Sequence, residues 1–97
     1  MIAYELARYR VDPSNAGELM KRWPPAVEAI RKCFPGLVGA ELARLDEQTW
    51  VDVWKWESRE AAQVAAQGAP QVPEAAALFS LIAEPLSMEH ADVVSQA

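Results

Sequence analysis

Three of the chain's four tryptophans fall inside one stretch of seven residues, Trp50 to Trp56, and an aspartate lies among them: Trp50, Asp52, Trp54, Trp56. Indole rings at alternate positions of a strand share one face and make a flat wall suited to an aromatic ligand, or else they fill a core. Asp52 shares their parity. A carboxylate on an aromatic face needs a partner or holds its proton to higher pH. It therefore reads as a general base, or as one half of a salt bridge to Arg8 or Arg44 on neighbouring strands. His90 is the only histidine, and histidine alone ordinarily titrates near neutrality. It shares parity with the apolar Leu86 and Met88, which makes it a candidate base or hydrogen-bond donor to a substrate oxygen; the plain alternative is a polar residue near the chain end. Trp23 lies on a helical apolar stripe beside Pro24, as core or as pocket lining. Cys33 has Lys32 next to it and no imidazole in sequence reach, so nothing there activates a nucleophile. Tyr9 and Arg10 read as rim residues.

Other chemistries find no support. Cys, His and carboxylate ligands do not cluster, so no metal site is expected. Phosphate-binding loops and nucleophile elbows have no matching pattern, and only four glycines are present to build one. A net charge of −5, from 9 basic and 14 acidic side chains, argues against a nucleic-acid or anionic-membrane surface. A single cysteine forms no internal disulfide, which points to a reducing compartment or a buried thiol. The N-terminal segment Met1 to Arg8 lacks the charged and apolar regions of a signal peptide. The most apolar run of the chain, Ala75 to Ala83, falls short of the ~20 residues of a membrane span. The expectation is a cytoplasmic protein of one domain, residues 1–97.

The elements that must position these residues follow from periodicity. Ile2 to Val11 reads as a strand ending at Asp12-Pro13. Asn15 is a candidate helix cap with Glu18 as its capping-box acid. Leu19, Trp23, Val27, Ile30 and Phe34 then mark one face of a long helix. Pro24-Pro25 interrupts it without a change of phase, which predicts a kink or two collinear halves. Strands are expected over Leu37–Leu45 and Trp50–Glu57, a helix over Arg59–Gln67 capped by Ser58 and closed by Gly68, a short helix from Pro73 through Ile82, and a last strand over Leu86–Val94. The order β-α-β-β-α-β predicts an α+β, ferredoxin-like antiparallel sheet with helices on one face. Both faces of that sheet carry apolar residues. In the first strand, Tyr4 and Leu6 oppose Ala3, Ala7, Tyr9 and Val11; in the third, Val51 and Val53 oppose the tryptophans. A homodimer with its two sheets facing each other is expected.

The segment Trp50-Val-Asp-Val-Trp-Lys-Trp-Glu-Ser-Arg-Glu-Ala-Ala resembles the third-strand-to-second-helix junction of antibiotic biosynthesis monooxygenase domains. The first strand, the Asp12-Pro13 turn and the helix with Glu18 and Trp23 are similar too. The resemblance implies a dimeric α+β barrel in which Trp56 stands at the mouth of a pocket between sheet and helices. Haem-degrading members pair that tryptophan with a first-strand asparagine and a histidine on the later short helix. Here Ala7 takes the asparagine's place and Glu74-Ala75-Ala76 carries no histidine, so no haem, and no other cofactor, is expected. Members that oxygenate without metal or flavin act on polycyclic phenols such as anthrones, for which a base and an orienting wall suffice. The implied site has His90, Asp52 and Trp56 as catalytic residues, and Tyr4, Trp23, Trp54 and Trp56 against a small aromatic substrate. The competing readings are a non-redox cyclase or isomerase of polyketide-like substrates and a non-catalytic dimeric binding module.

Overall fold

The computed structural model describes residues 1–97. Four strands, β1 (Ala3–Arg10), β2 (Leu37–Arg44), β3 (Thr49–Trp56) and β4 (Glu84–Asp92), are joined by three helices, α1 (Ala16–Cys33), α2 (Arg59–Gly68) and α3 (Pro73–Phe79). The strands form one antiparallel sheet in the order β2-β3-β1-β4. This is the ferredoxin-like α+β architecture that the order of elements predicts. Both β2 and β4 are edges, and Pro85 is tolerated on β4 because an edge strand can spare a ladder donor.

Register decides which residues meet the helices. Across β1 and β3, Ala3 pairs with Trp56, Glu5 with Trp54, Ala7 with Asp52 and Tyr9 with Trp50. Across β1 and β4, Glu5 pairs with His90 and Ala7 with Met88. All of these share the helix-facing side. One core cluster joins Val27, Ile30, Leu37, Trp54, Trp56 and the α2 alanines; a second joins Tyr9, Val11, Leu19, Ala26, Trp50 and Leu78. Trp23 packs against both. On the opposite face Tyr4, Leu6, Val51 and Val53 stay half-buried and belong to neither cluster.

Helix α1 runs unbroken through Pro24 and Pro25, both of which face solvent. Their missing N–H groups remove bonds to carbonyls that water can reach, which is why the buried stripe keeps its phase. The start of α1 differs from expectation. Asn15 makes no capping bond; instead Asp12 accepts from the backbone N and the Oγ of Ser14, at 2.9 and 2.7 Å, and caps a 3₁₀ turn over Pro13–Asn15. Glu18 pairs with Arg22 at 2.9 Å rather than reaching back. Ser58 caps α2 as predicted, accepting from Ala61 N at 3.1 Å. Gly68 does not adopt a left-handed conformation; its φ is −93° and the chain tightens into a 3₁₀ turn, Ala69–Gln71. A Cβ at Gly68 would lie 2.5 Å from Phe34 Cζ, so the glycine is there for the close approach of that ring. Helix α3 stops at Phe79, short of Ile82.

Candidate active site

Between the helices and the sheet lies a cavity of about 280 Å³. Its sheet wall is Glu5, Ala7 and Tyr9 from β1, Asp52, Trp54 and Trp56 from β3, and Met88 from β4; alanines 65, 66, 69 and 75 form much of the helical wall. The small side chains of α2 and α3 leave the space, and the strands aim the large ones into it. Trp54 and Trp56 stack with ring centroids 6.3 Å apart and planes 14° from parallel. Trp23 meets Trp54 edge-on at 6.5 Å and does not itself line the cavity.

Asp52 is 6% exposed and has no cationic partner. Tyr9 Oη donates to its Oδ2 at 2.7 Å, and Trp23 Nε1 donates to its Oδ1 at 2.6 Å. The expected salt bridge to Arg8 or Arg44 is absent for a geometric reason. Arg8 pairs with Val51 on the outer face, and Arg44 lies 4.7 Å over the Trp50 ring while donating to the carbonyls of Asp46 and Glu47. Burial pushes the Asp52 carboxyl above the usual carboxylate range, and the bonds from Tyr9 and Trp23 pull the other way without cancelling it. Burial, with the Asp52 carboxylate beside it, raises the Tyr9 phenol and keeps it a proton donor. Tyr9 is thus a buried clamp, 3% exposed, and not a rim residue.

Sequence reasoning passes over Glu5. It is the second charged residue of the cavity wall, and burial raises its carboxyl against the opposing pull of His90, with nearby Asp52 adding to the rise. His90 Nε2 lies 3.2 Å from Glu5 Oε2. His90 therefore faces inward, as its parity predicts, but reaches the cavity only through Glu5; no imidazole lines the space. Trp56, 1% exposed, has its Nε1–H buried without a hydrogen-bond partner of good geometry, although that dipole favours the Glu5 carboxylate. Tyr4 must be corrected. It pairs with Lys55 on the outer face, so it cannot share a wall with Trp54 and Trp56. Cys33 is exposed, not a buried thiol. No three of the His, Cys, Asp and Glu side chains converge as metal ligands would, and no helix is long and apolar enough to cross a membrane.

The profile of the antibiotic biosynthesis monooxygenase family matches residues 2–78. No functionally curated protein matches the chain. Among solved structures, a Bordetella bronchiseptica protein assigned to the antibiotic biosynthesis monooxygenases superposes with a TM-score of 0.81 at 23% identity, covering 97% of this chain and 98% of its own. A Caulobacter crescentus protein of the same assignment gives 0.74 at 20% identity, over 97% and 91% of the two chains. SnoaB, a cofactor-independent oxygenase from Streptomyces nogalater, gives 0.65 at 18% identity, over 99% and 94%. At these identities the structural likeness concerns the fold.

Proposed function

The chain belongs to the antibiotic biosynthesis monooxygenase family, and on that premise we propose that it is a cofactor-independent oxygenase, a dimer of facing sheets that binds a hydroxylated aromatic small molecule under the helices of each protomer. One observation carries the reading: a largely apolar cavity in which a buried carboxylate, Asp52, is held by two neutral donors beneath a pair of stacked indoles. The volume of about 280 Å³ lies just below the ~300 to ~1,000 Å³ of drug-sized ligand pockets and suits a flat molecule of few rings.

The chemistry needs little else. With an anthrone as substrate, Asp52 takes a proton from the ring methylene; burial makes it a stronger base than an exposed aspartate. The carbanion passes one electron to O₂, and the resulting radicals combine to form a carbon–oxygen bond. The peroxide collects the proton from Asp52. Loss of the second methylene proton with cleavage of the O–O bond then gives the ketone and water. Trp54 and Trp56 hold the ring plane. Tyr9 and Trp23 fix the carboxylate, and His90 acts through Glu5.

An oxygen electrode tests this with anthrone and no added metal or flavin. One O₂ should be consumed per anthrone, and Asp52→Asn should lower the rate by about 10²- to 10⁴-fold. Turnover that persists under argon would instead mark a non-redox isomerase or cyclase using the same base. No turnover in either atmosphere, with ligand still bound, would leave a binding module.

A further inference from the structure

Glu5 takes no proton in the reaction above, yet it lies on the cavity wall. Its side chain is 13% exposed, and His90, on the paired residue of β4, is its hydrogen-bond partner through Oε2 alone. Oε1 is left to accept from whatever enters. Asp52 differs, because each of its oxygens already accepts one bond, from Tyr9 or Trp23. The wall's two charged side chains are both acids, and no Lys or Arg lines it. On the flanking helices, Arg22 is held by Glu18 and the carbonyl of Ala77, and Arg59 by Asp92. An anionic ligand would add a further negative charge to an apolar space with no Lys or Arg to meet it and with His90 already bonded to Glu5, and like charges so placed are strongly selected against. A hydroxyl, by contrast, would make a charge-assisted hydrogen bond to Oε1.

We propose that Glu5, held by His90, is the specificity-determining residue of the cavity: it accepts the hydroxyl of an uncharged hydroxyarene and turns away an aromatic carboxylate of the same size. The proposal deepens the reading of this cavity as an aromatic-binding site and does not depend on turnover. Isothermal titration calorimetry of the full chain at pH 7 with 2-naphthol, 2-naphthoate and 2-naphthamide tests it. The amide has the shape of the carboxylate without its charge.

Naphthol and naphthamide should bind, and naphthoate should bind at least about tenfold more weakly, a gap that Glu5→Gln should narrow by most of that factor. Naphthoate binding as tightly as naphthamide would overturn the proposal, and that comparison needs only the unaltered protein. An unchanged gap in a folded Glu5→Gln would overturn it too. If none of the three binds, the proposal falls together with the cavity reading. If the gap appears as expected while anthrone drives no oxygen uptake, the oxygenase reading falls and this selectivity stands.

Discussion

Asp52 combines two opposed influences in one side chain: burial that favours the protonated form and two short donor bonds that favour the carboxylate. Because burial prevails, the folded chain holds this proton to higher pH than the unfolded chain, whose aspartate titrates near ~3.9. The Asp52 contribution to stability is therefore complete below that value and is lost as pH rises through the raised folded value; the raised Glu5 carboxyl adds to the same decline. Urea unfolding between pH 3.5 and 8 should show a shallower fall for Asp52→Asn than for the parent chain; an identical fall would refute the assignment. Tyr9→Phe removes one donor, so burial acts with less opposition. The acidic limb of kcat/KM should move to higher pH, and stability should drop by about 1.5–3 kcal/mol, the range for hydrogen bonds to charged groups. Much of this site is legible in the sequence, since Asp52, Trp54 and Trp56 share a parity that the strand fixes. The partners of Asp52 are not, because a search for opposite charge passes over neutral donors that lie 43 and 29 residues away. Glu5 is readable from its alternation with Ala3, Ala7 and Tyr9. Tyr4 fails by the same rule, one residue out of phase.

Among the elements, α2 carries two positions whose effects should separate cleanly. Ser58→Ala deletes the cap to Ala61 N and should cost about 1 kcal/mol. Gly68→Ala should cost more, although alanine is the better helix former, because the added methyl meets the Phe34 ring, which packs on the core cluster. Denaturant titration of the two variants orders them; the reverse order would mean that Phe34 moves aside freely. Periodicity reveals β1, α1 and β3 well, since each buries one face, whereas β4 has no buried residue and follows from weaker alternation. It reveals the terminal details poorly. The turn at Asp12 offers a local side-chain bond that displaces Asn15 as the first cap, and Gly68 answers to the Phe34 ring, far back in the chain, rather than to its own backbone.

For the molecule as a whole, the outer face of the sheet presents Tyr4, Leu6, Val51 and Val53 at its centre, half-buried under nothing but their neighbours. The proposed dimer would cover them. Sedimentation velocity should give a species of twice the chain mass, and Leu6→Lys with Val53→Lys should halve it; a parent chain that sediments singly would remove that part of the proposal. The alanines at 65, 66, 69 and 75 have a consequence of their own. Larger residues there would knit α2 and α3 to the sheet, so the empty protein forgoes packing that its fold has room for. A well-fitting guest restores it, and binding to the native state alone raises the melting temperature with concentration. The thermal denaturation midpoint is thus a direct, chemistry-blind way to search a metabolite collection for the natural occupant.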